Sequence, residues 1–300
     1  MTRRLVRYIA DAYPLRIHLP YMLLWAVGLT VQLACLTGVI ARWRPDAWLA
    51  VTGITLVLDM LMLRALDDIR DHDYDRAHHP SRPLPSGRVR EQDLAVMIAV
   101  GTAVVLLLNA GRPIALAALA FQLGYAFAVI AADRRLHWPP PRRVFLHLAV
   151  NLPIQALLSC YVYAGFLTST GQRPSLAGLV AVAAATLAAA CLEFGRKANR
   201  APRPGEHTYS AVIGPALTSA LAVGCALAGA AAVLGALRPW ASGIDAWGWL
   251  VLVPPLVPAA CALRFARGAT RWPAGPTIAF VPTTYAGYVL VGWLAKGAGL

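Results

Sequence analysis

The chain has 300 residues, of which 58% are apolar and 14% charged, with a mean hydropathy of +0.58. A soluble domain carries about 25% charged residues, so the composition excludes a soluble globular protein, a disordered chain and a collagen-like repeat. Five cysteines, all inside apolar stretches and odd in number, exclude a disulfide framework. The net charge of +13 would suit nucleic acid, but the basic residues are dispersed over separate segments. That distribution belongs to membrane topology and anionic lipid, and no nucleic-acid partner is expected.

A bilayer core about 30 Å thick takes roughly 20 apolar residues in helical form. Nine such runs are predicted, at 19–40, 48–66, 94–110, 113–132, 144–167, 176–192, 211–237, 247–263 and 278–294. The first is too long for the apolar core of a signal peptide, so it is expected to stay in the mature protein. Twenty of the 27 basic residues fall in the segments that share a side with the N-terminus, and six fall on the other side. Cytoplasmic loops retain Lys and Arg, which predicts a cytoplasmic N-terminus. Seven of the nine tryptophans lie near span ends, where an amphipathic ring belongs. The expected fold class is all-α integral membrane, with nine transmembrane helices in a single domain over 1–300. The bilayer is its solvent, and a bacterial cytoplasmic membrane its expected location.

Only 14 residues are acidic, yet five of them crowd into nine positions: Asp67, Asp68, Asp71, Asp73 and Asp75. Like charges one helical turn apart repel, so the crowding is costly unless a cation offsets it. Continuing the second span past the membrane surface would put Arg64, Asp68, Asp71 and Asp75 on one stripe, with Asp67 flanking it and Asp73 on another face. Convergent carboxylates suit hard divalent cations, and Mg2+ binds through a few carboxylates plus substrate phosphates. The segment runs on into Arg76, a Pro- and Ser-rich turn containing Arg82, and Arg88. The quieter alternative is a solvated loop in which Asp and Arg neutralise one another.

The string Asp68-x-x-Asp71-x-x-x-Asp75 followed by Arg82-Pro83-Leu84-Pro85-Ser86-Gly87 resembles the first signature of the UbiA superfamily of intramembrane prenyltransferases. The resemblance runs through the whole chain and implies nine helices around a lateral intramembrane cavity, with two Asp-rich motifs on the cytoplasmic face. It implies that Asp68, Asp71 and Asp75, with Asp67, hold Mg2+ as cofactor on a prenyl diphosphate substrate. Arg64, Arg82 and Arg88 are candidates for contacting that diphosphate. The family usually has Asn before its first aspartate; Asp67 stands there and creates a DDxxD string, as in soluble terpene synthases.

The second motif departs from the family. After the sixth span the chain reads Glu193-Phe194-Gly195-Arg196-Lys197-Ala198-Asn199-Arg200, without the expected aspartates. A continued helix would place Glu193, Arg196, Lys197 and Arg200 on one face, so one acid would share its stripe with three cations. Diphosphate charge is neutralised by metal or directly by guanidinium and ammonium groups. Glu193 is therefore a candidate metal ligand, and Arg196, Lys197 and Arg200 candidate diphosphate ligands. Asn199, Glu206, Thr208, Tyr209 and Ser210 would add oxygen donors. The alternative is an ordinary Glu193–Lys197 pair beside arginines that anchor at lipid headgroups.

In the fifth span His147, Asn151, Gln155 and Ser159 repeat every four residues. Polar groups in hydrocarbon face a bundle interior or a cavity, so this stripe lines the cavity or bonds to a neighbouring helix. Tyr125, Tyr161, Tyr163, Phe121, Trp25 and Tyr21 are candidates for an aromatic wall that stabilises a carbocation. Asp59, inside the second span, is paired with Arg64 or a neighbouring helix, or functional. His72, His78 and His79 lack zinc spacing and read as loop residues. Ionisation of a prenyl diphosphate is the expected reaction, followed by cyclisation of the carbocation or its transfer to an acceptor. A cation transporter and an inactive relative are the rival classes.

Overall fold

A computed structural model describes residues 1–140, 142–202, 207–241 and 245–297. It begins with the surface helix α1 (Thr2–Ala12), followed by α2 (Leu15–Leu36), α3 (Ala47–Arg70) and the short α4 (His72–His78). Then come α5 (Glu91–Leu108), α6 (Pro113–Leu136), α7 (Val144–Thr170) and α8 (Leu176–Arg196). The chain closes with α9 (Tyr209–Ile213), α10 (Pro215–Leu237), a 3-10 helix (Asp245–Leu252), α11 (Leu256–Ala266) and α12 (Ala274–Gly297). Among the described residues nine helical segments are long and apolar enough to cross a membrane. The bundle is all-α, and each predicted run coincides with one of the nine.

Capping explains most boundaries. Asp46 opens α3 by accepting from the Leu49 N–H at 2.9 Å, and the Ser175 hydroxyl opens α8 on the Gly178 N–H at 3.2 Å; each satisfies a backbone donor that the first turn leaves free. Pro113 and Pro215 sit in the first turns of α6 and α10, where a missing N–H costs nothing. Two predicted runs prove to be broken. The run at 211–237 is interrupted at Gly214, whose φ of +81° turns α9 into α10 in a backbone region that suits glycine. The run at 247–263 is interrupted at Pro254-Pro255, with a 3-10 segment before and α11 after, because proline cannot donate into a continuing helix.

Small residues let the helices approach. α8 and α10 are rich in Ala and Gly and pack along one another, as close packing in a membrane requires. The first and last spans meet at Gly28 of α2, where an added Cβ would lie 2.6 Å from the Tyr285 Cβ on α12.

At the end of the bundle away from the Asp-rich segment, Arg112 is almost completely buried. Its guanidinium donates to Thr52 Oγ1 and Tyr161 Oη, each at 3.0 Å, and to Asn109 Oδ1, and it stacks over Trp48. Arg112 lies in the turn between α5 and α6, and from there its side chain ties α3, α5 and α7 together.

At the other end α1 lies across the bundle. Arg4, Tyr8 and Asp11 share one face of α1 and reach Asp93 at the start of α5, Asp68 on α3 and Arg88 in the Pro-rich loop, at 2.7, 2.9 and 2.6 Å.

Replacing Gly28 by alanine is expected to push α2 from α12 and destabilise the bundle by about 1–3 kcal/mol, the cost of overpacking. A lowered thermal midpoint of the purified protein in detergent checks this.

Candidate functional site

The helix of the second span does not continue through the acidic segment. α3 ends at Arg70, Asp71 caps it with φ −87° and ψ 10°, and α4 starts afresh. The expected single stripe is thereby split into two pairs of carboxylates. Asp67 and Asp71 keep 49% and 44% of their side-chain surface accessible, whereas Asp68 and Asp75 keep 6% and 2%. Asp73 is exposed on another face.

Each member of the buried pair is held by an arginine. Asp68 Oδ1 lies 2.7 Å from Arg64 Nη2, and its Oδ2 accepts from the Tyr8 hydroxyl at 2.9 Å. Asp75 Oδ2 accepts from Arg82 Nη1 at 2.6 Å. Burial, with Asp68 beside it, holds the Tyr8 phenol well above its ordinary range, so it remains a donor. Arg64 is thus committed to Asp68 and does not pair with Asp59. Asp68, Asp75 and Arg82 are thus held in ion pairs in this arrangement. Arg88 is engaged elsewhere, on α1 and the Pro-rich loop. It is exposed and bonds to Asp11, to the Ser81 carbonyl at 2.5 Å and to Ser86 Oγ at 3.0 Å, which locks the Pro-rich loop onto α1.

The accessible pair is organised by Arg70, a residue the sequence reading treated only as a topology signal. Its Nη2 lies 3.0 Å from Asp67 Oδ1, its Nε 2.9 Å from Asp71 Oδ1 and 3.8 Å from Asp133 Oδ2 on α6. Spacing alone would not have found Asp133, because it comes from a different helix.

The second loop also stops short of its expected stripe. α8 ends at Arg196, with Lys197 as its cap. Glu193 Oε1 is paired with Lys197 Nζ at 2.5 Å and accepts from the Tyr209 hydroxyl at 3.4 Å, while Lys197 sits 5.3 Å from the Tyr209 ring centroid. Burial, with Glu193 beside it, keeps the Tyr209 phenol protonated. Arg196 is exposed. Arg200 points elsewhere: its Nη2 donates to the Phe265 carbonyl at 2.9 Å and its guanidinium covers the Phe265 ring, which joins this loop to α11.

Asn199, Thr208 and Ser210 spend polar groups on local backbone: Asn199 Oδ1 accepts from the Ala201 N–H, Ser210 Oγ from the Asn199 N–H and Thr208 Oγ1 from the Ala211 N–H. Of the proposed hydroxyl donors Tyr209 alone reaches Glu193. Glu206 lies outside the described residues.

His147 on α7 stands between the two loops, within the electrostatic range of Lys197, Arg70 and Asp133. Tyr21 on α2 is likewise within range of Arg196. Asp67, Arg70, Glu193 and Tyr21 each keep part of their surface accessible. Two small crevices, each with about 10 Å³ of space, roughly that of a single water, lie elsewhere: one between α8, α10 and α12, the other beside Arg112. Neither adjoins these carboxylates.

The α7 stripe divides in the structure. Asn151 and Gln155 are partly accessible, and Asn151 Nδ2 donates to the His147 carbonyl at 2.8 Å. Ser159 is buried, with its hydroxyl turned back onto the Gln155 carbonyl. Tyr161 belongs to the Arg112 network at the far end, and the Tyr125 hydroxyl is spent on the Val150 carbonyl at 2.9 Å. An aromatic row does form between the first and last spans: Trp25 stacks at 6.2 Å on Tyr285, which meets Tyr288 at 6.3 Å. Tyr285 and Tyr288 come from the last span, which the sequence reading left out of the wall. Asp59 is buried and accepts from Gln122 Nε2 at 3.4 Å, so a neighbouring helix is its partner.

Among the described residues no three acidic, His or Cys side chains converge on one point. Mg2+ is commonly held by only one or two carboxylates together with substrate phosphates. The accessible oxygens of Asp67 and Asp71, one turn apart and already bridged by a cation, fit a metal of that kind.

Tyr8→Phe removes the buried donor to Asp68 and is expected to cost about 1–3 kcal/mol of stability, read as a lowered thermal midpoint. Arg200→Ala removes the tie between this loop and α11 and is expected to lower the thermal midpoint of the purified protein.

The chain matches no family model and no curated protein. Its structure is similar to the apo structure of a UbiA homolog from Aeropyrum pernix K1, with 18% sequence identity and a TM-score of 0.63. The match covers 91% of this chain and 98% of that one. The protein therefore has the fold of a UbiA homolog, spanning the membrane with two polar loops gathered at one end.

Proposed function

We propose that this protein ionises a prenyl diphosphate at the membrane boundary with the help of Mg2+, and that the carbocation then cyclises within the bundle. The observation that carries the reading is the presence of two unlike clusters at one end of the helices. The Asp67–Arg70–Asp71 group lies at the end of α3 and the Glu193–Lys197–Tyr209 group at the end of α8, and His147 in the first turn of α7 is within electrostatic range of Arg70 and of Lys197. The fold shared with a UbiA homolog supports it.

Asp67 and Asp71 would hold the metal, with Glu193 at the end of α8. Mg2+ would draw charge from the departing diphosphate. Lys197 and the exposed Arg196 would bind phosphoryl oxygens directly, which offsets the missing second-motif aspartates. The allylic C–O bond breaks with both electrons going to the diphosphate oxygen, so the chain is left as an allylic cation. Anion and cation both need stabilisation in a site from which water is excluded. The faces of Tyr21, Trp25, Tyr285 and Tyr288 would serve the cation, and the apolar bundle would hold the chain at about 0.8 kcal/mol per buried CH2. In cyclisation a double bond of the same chain supplies the electron pair, and a proton is finally lost or water added.

Prenyl transfer to a small aromatic acceptor is the second reading. It is favoured by the partly accessible amides of Asn151 and Gln155 on α7, which would receive a polar acceptor.

The purified protein, incubated with Mg2+ and geranyl, farnesyl or geranylgeranyl diphosphate, is expected to yield cyclic hydrocarbon or alcohol in organic extracts. Product appearing only after an aromatic acceptor is added would move the assignment to prenyl transfer, and no diphosphate release under any condition would refute ionisation. Asp67→Asn and Asp71→Asn are each expected to lower turnover by roughly 100-fold while leaving folding intact. Asp68→Asn, which strands Arg64 and Tyr8, is expected to lower stability as well.

A further inference from the structure

Arg70 occupies an unusual place: one guanidinium is shared among three carboxylates that belong to two helices. The contacts differ in length. Asp67 and Asp71 are held at 3.0 and 2.9 Å, while Asp133 stands at 3.8 Å on the other side. With all four side chains ionised, the group is left with two negative charges, which one divalent cation would balance. The guanidinium itself is partly accessible, and His147 is within electrostatic range of both Arg70 and Lys197. A guanidinium engaged with carboxylates retains the geometry to bind phosphoryl oxygens bidentately once it is released.

We propose that Arg70 is a placeholder cation. Without metal it holds Asp67 and Asp71 together and suppresses their mutual repulsion. When a divalent ion takes those oxygens, Arg70 is displaced, remains near Asp133 and donates its N–H groups to the diphosphate. The ion and Arg70 thus compete for the same carboxylates but cooperate on the substrate. Arg70 is a positioning residue before the substrate arrives and a diphosphate ligand afterwards. The inference rests on the diphosphate reading of this site and adds a role that a merely structural arginine would not have.

The two roles predict shifts of opposite sign. Mn2+ serves as the probe ion, with free Mn2+ measured by electron paramagnetic resonance on the full chain in nanodiscs without substrate. Arg70→Gln is expected to tighten Mn2+ binding about tenfold, the scale of one charge-assisted hydrogen bond, because its competitor is gone. The same variant, at saturating Mn2+, is expected to bind inorganic pyrophosphate about tenfold more weakly. Arg70→Lys keeps the charge and should hold Mn2+ affinity near that of the unaltered protein; its thermal midpoint and that of Arg70→Gln confirm folding. Unchanged or weakened Mn2+ binding in a folded Arg70→Gln would overturn the placeholder role while leaving the diphosphate reading standing. Absence of Mn2+ and pyrophosphate binding in the unaltered protein would overturn both.

Discussion

Carboxylates gathered at the edge of a membrane repel one another, and the low dielectric of the surroundings strengthens that repulsion. Here the repulsion is met by arginines. Arg64 takes Asp68, Arg82 takes Asp75, and Arg70 bridges Asp67, Asp71 and Asp133. This pairing decides what the rest of that end of the molecule does. Removing one partner would leave a buried or half-buried charge without compensation, which is far costlier than the pair is worth. The pairing also sorts the carboxylates: Asp68 and Asp75 are buried in it, while Asp67 and Asp71 stay accessible.

The frame at this end is built by chain segments far apart in sequence. α1 reaches across with Arg4, Tyr8 and Asp11 and fixes α5, α3 and the Pro-rich loop at once. The loop after α8 is fixed from the opposite side, through Arg200 on Phe265 and the pairing of Asn199 with Arg271. Supports of this kind hold polar side chains in a fixed, preorganised geometry. The buried Tyr8 and Tyr209 hydroxyls, kept protonated by burial and a neighbouring carboxylate, act as steady donors in that frame.

The two ends of the bundle satisfy charge in different ways. At the far end the Arg112 guanidinium is held by hydroxyls, an amide and aromatic faces. At the Asp-rich end, formal charges face one another, and the Arg70 group retains an excess of negative charge. The first arrangement suits a permanent lock between helices. The second leaves charge accessible at the surface of the bundle.

The amino-acid sequence by itself determined the class of the fold. Hydropathy, span length and the dispersion of Lys and Arg depend on composition along the chain, and the bilayer reads them locally. It also located both loops, because five aspartates in nine positions and three cations after Glu193 are unusual in any context. Only the tertiary structure decided which of those side chains stay accessible. A stripe drawn on a continued helix fails once the helix stops, as α3 does at Asp71 and α8 at Lys197. Arg200, Arg88 and Tyr161 were drawn away by partners on other segments, while Arg70, Asp133, Tyr209 and Tyr285 were brought in. Those choices depend on charge pairing and packing between helices distant in sequence, and no local pattern encodes which neighbour a side chain will meet.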